Sequence, residues 1–364
     1  MTVTSCAGKA TLRAVGSTLH SLTGTLSLLA LYNSSVHTTL LCGYSVEYAR
    51  EIAMVRKREL SMVGVFVVGS INQDFVLRVD RRPEPGETIT DAKLSLHPGG
   101  KGANQAAAAA RLGANVAMFG RVGEDGFGED LVRNLRENGV DTSRVETTSE
   151  ALTGCAFVTV TPDGENAIVV SPGANRGFGS KEIEAASEDL RRTRVLVAQL
   201  EVSIEAVETA AHTVDGAGGR FLLNLAPPRE VPDALLRLSD PLVVNEHEAA
   251  FLLGDDKREP EEAAEKLLEL GPPSTVITLG AEGAILAAGR SIHHFPAPKV
   301  EPIDTTGAGD AFVGALAAKL VEGVPLEAAV PYAVLAGTAA VTRQGAQGSL
   351  PTPGEVEKFR GDGG

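Results

Sequence analysis

The feature that most limits the fold of this chain is a repeated alternation of short apolar runs and helical patterns. The runs Met62–Val68, Asn115–Gly120, Val195–Leu200, Phe221–Leu225, Leu242–Val244 and Thr275–Leu279 are apolar and too short for buried helices. Helical patterns separate them, as over Gly126–Asn138 and from Ser203 onward. Continuous apolar strands are buried on both faces, and a strand–helix–strand order needs crossovers. The expected fold is therefore α/β, with a mostly parallel central sheet covered by helices. Polar residues stand at or just past the strand ends: Asn72, Asp74, Glu201, Asn224, Asn245 and Thr278. On successive parallel strands they would line one edge of the sheet, where open α/β sheets bind ligands.

Two stretches break the alternation. Arg81–Leu96 is punctuated by Pro and Gly and reads as short strands off the main sheet. Thr153–Thr161 and Asn166–Ser171 read as a hairpin around Pro162-Asp163-Gly164. Together they predict a small second sheet, with strands over about 72–97 and 152–172.

Two Gly-rich segments precede helices. Pro98-Gly99-Gly100-Lys101-Gly102-Ala103-Asn104-Gln105 leads into an Ala-rich helix expected over Ala106–Leu112, with Lys101 and Asn104 within one turn of each other. Ile303-Asp304-Thr305-Thr306-Gly307-Ala308-Gly309-Asp310 follows a β-friendly, Pro-spaced run, Phe295–Ile303, and opens a helix marked by Phe312, Leu316 and Leu320. The first N–H groups of a helix have no partner within it, and its dipole is positive there, so this loop suits a phosphate. Asp310 sits inside that cradle. From the octet alone, a first-turn acid that favours the helix explains Asp310 slightly better than chemistry does. The other segments that fit one site shift the balance toward a general base, which takes a proton from an attacking hydroxyl.

Length, 364 residues, suits one large α/β domain or such a domain with a small attachment. A net charge of −14 argues against nucleic acid as the main partner. Residues 1–60 differ from the rest: they carry six Lys/Arg against three Asp/Glu, no acid before Glu47, and many Ser, Thr and Leu. The apolar stretch Leu26–Leu31 is too short to span a membrane. The expectation is an extension over 1–60 with no part in the fold, and one domain over 61–364 that starts at the strand after Met62. Three cysteines without paired spacing (Cys6, Cys42, Cys155) point to a reducing compartment, hence the cytoplasm.

Several site types are excluded. No dinucleotide fingerprint, Walker loop or Gly-x-Ser-x-Gly elbow is present. The stretch His247-Glu248-Ala249-Ala250-Phe251 lacks the second His of a zinc site, and the adjacent His293 and His294 point apart in a strand. Cys155 lies in an expected strand and reads as packing.

In this order and at this separation, Gly99–Asn104 and Asp304–Asp310 resemble the ribokinase-like carbohydrate kinase family. The likeness runs from Val63 to about Pro351. The stretches Gly69–Asp74, Gln199-Leu200-Glu201 and Val341–Gln347 are most similar to its ribose-phosphorylating members. The resemblance implies a three-layer fold with a small β-sheet lid that also forms a homodimer interface. It implies ATP-dependent phosphorylation of D-ribose to D-ribose 5-phosphate. Asn72, Asp74, Gly100, Lys101, Asn104 and Glu201 would hold the sugar. Asn245, Thr278, Gly280, Ala281, Glu282, Gly283 and Gly309 would contact ATP, with Glu248 organising Mg2+ through water. Gly307, Ala308 and Gly309 would form the anion hole, and Asp310 would be the base. K+ would sit behind it, held by Asp304, Thr306, Ala340, Arg343, Gly345 and Ser349. Leu225 and Val334 depart from the family's pattern, at positions where it often has Pro and a polar residue near adenine. Other acceptors implied by the same fold are deoxyribose, fructose or a nucleoside such as adenosine. A non-catalytic sugar sensor is the remaining alternative, and an intact Asp310 speaks against it.

Overall fold

The computed structural model describes residues 63–163, 165–255 and 258–360. The extension expected over 1–60, with Cys6 and Cys42, lies outside the described residues. Nine strands form the main sheet: β1 (Val63–Val68), β4 (Val116–Gly123), β5 (Val140–Thr148), β8 (Thr193–Ala198), β9 (Arg220–Asn224), β10 (Ser239–Asn245), β11 (Ser274–Thr278), β12 (Ala284–Ala288) and β13 (Ser291–Phe295). Their order is β13-β12-β11-β10-β9-β8-β1-β4-β5. Every pairing from β11 to β5 is parallel, and β12 and β13 add an antiparallel edge.

The helices of eight residues or more are α1 (Lys101–Arg111), α2 (Gly126–Glu137), α3 (Ile204–Asp215), α4 (Glu246–Leu253), α5 (Pro260–Glu269), α6 (Ala308–Val321) and α7 (Leu326–Val341). They cover both faces of the sheet. Strand β1 shows why its sequence is an unbroken apolar run. Side chains alternate across a strand, so Val65 and Val67 join one core with α1, α6 and α7. Phe66 and Val68 join the other with α3 and α5. All four are fully buried.

A second sheet has the order β3-β2-β6-β7, from β2 (Asn72–Arg78), β3 (Lys93–Gly99), β6 (Gly154–Val160) and β7 (Asn166–Ser171). Its two faces differ. Phe75, Leu96, Phe157 and Val169 are paired across the strands and share one face. Asp74, His97, Ala156 and Val170 share the other.

Four expectations are corrected. The Pro-punctuated stretch over residues 79–92 is irregular, and the strands flank it; Pro83 and Pro85 cannot donate to a ladder. Asn72 and Asp74, also expected at the carboxyl end of the first strand, lie instead in β2 of the second sheet, within the span of about 72–97 expected for it. The Ala-rich helix begins at Lys101, not Ala106. Gly102 is tolerated inside it because a Cβ there would lie 2.6 Å from the Gly69 carbonyl carbon, so helix and strand end can approach closely. The run before the second Gly-rich loop is irregular after Phe295, since Pro296, Pro298 and Pro302 interrupt it. Strand β5 and the β12–β13 hairpin were not expected. The hydrophobic period of β5 is broken by Asp141, Arg144 and Glu146, which an edge strand tolerates.

Candidate active site

The expected edge exists. Asn224, Asn245 and Thr278 are the last residues of β9, β10 and β11, and Glu201 lies three residues beyond β8. Against this edge rest the N-termini of α1 and α6 and the inner face of the second sheet.

Asp310 is in the first turn of α6 and 8 % exposed. Its carboxylate is gripped on both oxygens: Asn104 Nδ2 donates to Oδ2 at 2.8 Å, and Gln105 Nε2 donates to Oδ1 at 2.9 Å. Burial pushes the Asp310 carboxyl up, while Lys101 and the two amide donors pull it down. Burial opposes the charge on Lys101, yet Asp310, Glu201, Glu248 and Asp74 together hold its ammonium above the usual range. These five charged groups thus form one electrostatic cluster.

The polar walls beside Asp310 are preorganised. Asn72 is 3 % exposed, and its Oδ1 accepts from Asn175 Nδ2 at 2.7 Å. Glu201 Oε2 accepts from the Lys101 N–H at 3.1 Å and from the Ser70 hydroxyl. Burial first, then Glu201 and Asp310, push Asp74 up to about 7 against the pull of Lys101. Asp74 Oδ1 and Asn104 Oδ1 are buried with no protein partner. Buried acceptors are normally paired, so two unpaired ones beside a carboxylate cluster fit a ligand rich in hydroxyl donors.

Gly307 has φ 79°, a left-handed conformation that turns the chain into α6. The Ala308 N–H closes this turn onto the Thr305 carbonyl at 3.2 Å. The N–H groups of Gly309 and Asp310 follow it in the first turn, where α-helical bonding supplies no acceptor.

A cavity of about 840 Å³ opens at this helix end. Gly309, Phe312 and Val334 line it on one side, and Asn245, Thr278 and Gly283 on the other. Gly280 and Ala281 also line it, whereas Glu282 is exposed and does not. Its largely apolar wall suits a flat heterocycle, and its position suits the phosphates of a nucleotide. Asn245 and Glu248 form a capping box, each side chain accepting the other's N–H at 2.8 Å. Glu248 is 6 % exposed and burial pushes its carboxyl up, so a divalent cation beside it would find an oxygen donor.

Asp304 accepts from Thr306 N–H and Gly345 N–H, each at 2.9 Å. The Arg343 guanidinium is paired with Glu355 at 2.7 Å, so only its carbonyl is available to a cation. The Ala340 carbonyl already accepts the Arg343 N–H at 3.1 Å, and the Ser349 hydroxyl donates to Ala346 O at 2.8 Å. All of these are oxygen donors, the type that a hard monovalent ion takes.

Sequence reasoning missed Gln105, Gln199, Asn175 and Ser70, which hold other site residues rather than facing the cavity. Ser70, Gln105 and Gln199 did stand inside stretches already singled out. It also missed Glu246, His247, Lys299 and Thr338 on the cavity wall.

A model of the pfkB family carbohydrate kinases matches residues 62–353. The ribokinase of Bacillus subtilis is 38 % identical over 298 residues, covering 82 % of this chain and 99 % of that protein. A deoxyribokinase of Salmonella typhi is 36 % identical over 299 residues, covering 81 % of this chain and 97 % of that protein. Among solved structures, Arabidopsis thaliana ribokinase complexed with ribose and ATP matches with a TM-score of 0.76 and 32 % identity, over 81 % of this chain and 97 % of that one. The chain belongs to the pfkB carbohydrate kinase family and is a phosphotransferase with the ribokinase-like fold.

Proposed function

We propose that the protein transfers the γ-phosphoryl group of ATP to the 5-hydroxyl of D-ribose, giving D-ribose 5-phosphate and ADP. The observation that carries this reading is the Asp310 carboxylate, buried between a hydroxyl-binding cluster and the N-terminus of α6 at the nucleotide-sized cavity. Asp310 takes the hydroxyl proton. The hydroxyl oxygen bonds to the γ-phosphorus as the bond to the bridging oxygen of ADP breaks. Of the anion hole expected from Gly307, Ala308 and Gly309, the Ala308 N–H is turned onto the Thr305 carbonyl, so the Gly309 amide, joined by that of Asp310, meets the negative charge on the transferring group. Glu248 would help hold Mg2+, which would neutralise charge on the phosphates. Asp304 and the carbonyls of the loop after α7 would hold K+, which would stiffen the turn before α6.

The sugar choice rests on Asp74 Oδ1 and Asn104 Oδ1. Each asks for a donor, and a buried acceptor left without one costs roughly 1–3 kcal/mol. Deoxyribose offers one hydroxyl fewer. The similar deoxyribokinase keeps that sugar as the second reading. The exposed apolar row of the second sheet supports a homodimer formed through it, and the free Cys155 suits the cytoplasm. No helix among the described residues is long and apolar enough to cross a membrane.

The test is coupled ADP release over ribose, deoxyribose, fructose and adenosine. Ribose is expected to give the highest kcat/KM, by at least about 10-fold. A higher value for deoxyribose moves the assignment to the second reading, and no ADP release with any acceptor refutes both.

A further inference from the structure

Asp310 is not held by its own helix. Gln105 is 1 % exposed, and both hydrogens of its Nε2 are committed: one to Asp310 Oδ1 and one to Asn224 Oδ1, each at 2.9 Å. Its Oε1 accepts from Gln199 Nε2 at 2.6 Å, and Gln199 is fully buried. Asn224 Nδ2 donates in turn to the Val243 carbonyl at 3.3 Å. The orientation of this chain of amides is forced. An ionised carboxylate only accepts, so the Gln105 amide must turn its NH2 toward Asp310 and its oxygen toward Gln199. The reverse would set Oε1 against oxygens of both Asp310 and Asn224. Gln199 and Asn224 stand at the ends of β8 and β9, so the sheet anchors the relay.

The relay keeps one defect: Gln199 Oε1 is buried without a partner. A buried unpaired polar atom is costly, and apolar side chains of the same shape would avoid it. Its presence speaks for a task other than packing. We propose that Gln105, fixed by Gln199 and Asn224, is a positioning residue that sets the orientation of the Asp310 carboxylate for proton transfer. This rests on the reading of Asp310 as the base.

The charged groups facing Asp310 are Lys101 on α1, Asp74 on β2, Glu201 beyond β8 and Glu248 on α4. Burial raises the Asp310 carboxyl most, with Glu201 acting in the same direction. Lys101, Asn104 and Gln105 oppose them. Without Gln105 the carboxylate is less favoured, so the acid limb of kcat moves to higher pH.

The test uses Gln105→Met and Gln199→Met in the full chain, with kcat followed against pH at saturating ribose and ATP. Gln105→Met is expected to lower kcat about 10- to 100-fold and raise the acid limb, while both KM values change less than about 3-fold. Gln199→Met moves the same quantities in the same directions by about 3- to 10-fold in kcat, because it frees Gln105 without removing it. A packing role alone would lower the Tm and leave the acid limb in place; that result, with kcat within about 2-fold, overturns the proposal. If Gln105→Met does not fold, the Gln199→Met profile decides by the same criteria. Asp310→Asn separates the two readings. If it keeps turnover, the base assignment fails. If it is inactive while both glutamine variants match the parent, only the positioning role fails.

Discussion

Asp304 Oδ2 accepts the backbone N–H of Gly345 at 2.9 Å, tying the loop before α6 to the loop after α7. Its other oxygen caps Thr306 N–H. Burial opposes the ionised form, but these N–H donors outweigh it and hold the Asp304 carboxyl below the usual range. One carboxylate therefore joins the turn before α6, proposed to face phosphate, to the segment expected to bind K+. An ion there would not touch the sugar, so its effect belongs in kcat. With Na+ excluded and ionic strength held by a bulky organic cation, K+ should raise kcat several-fold, and Asp304→Ala should abolish the response. A parent enzyme freed of K+ that turns over equally well without it would leave Asp304 as a loop clasp only.

Asp310→Asn keeps the size of the side chain and removes the proton acceptor. Turnover should fall by at least about 10²-fold, the usual range for a lost general base. Calorimetric affinity for sugar and nucleotide should stay within a few-fold. Near-normal turnover would make Asp310 a first-turn helix acid and nothing more.

Asp74 links acidity to both binding and stability. Burial pushes its carboxyl up to about 7 in the folded protein, against 3.8 for the ordinary group. The folded state thus keeps a proton that the unfolded chain has already released. Stability is lost as pH rises between those values, and the full cost is present above about 7. Asp74→Asn should raise the Tm of the sugar-free protein more at pH 8 than at pH 5, while weakening sugar binding. In the parent enzyme kcat/KM for the sugar should fall on the acid side of about 7, where the free enzyme's Asp74 protonates. Equal Tm changes at the two pH values would show that Asp74 ionises normally.

The outer face of the second sheet carries Leu94, Leu96, Phe157 and Val169, exposed by 57, 52, 44 and 70 %. Phe75 stacks on Phe157 at 5.1 Å beneath them. An apolar row of this kind marks an interaction surface. Leu96→Glu with Phe157→Glu should convert a dimer to a monomer in light scattering, with sugar affinity reduced because Asp74 lies on the same sheet. A parent protein that is already monomeric at micromolar concentration would remove the interface.

The sequence by itself determined the six parallel strands of the main sheet other than the edge strand β5, their polar ends, and a helix after each Gly-rich segment, though not the first residue of the first helix. Short apolar runs alternating with helical patterns fit strands of a parallel sheet covered on both faces, and glycine before a helix pattern permits the tight turn that starts it. Glu201, Asn224, Asn245 and Thr278 were placed at the sheet edge from sequence because they follow apolar strand runs, and Asp310 at a helix start because two glycines precede it. Gln105 was not. It sits among alanines in a helix, where glutamine is an ordinary residue, and only the tertiary structure brings it to Asp310, 205 positions away. The Asp304–Gly345 bond and the Asn72–Asn175 bond are of the same kind, spanning 41 and 103 positions. Local pattern records which backbone a segment prefers. It does not record which distant donor reaches a buried carboxylate, because that depends on how close α1, α6 and the sheet edge pack.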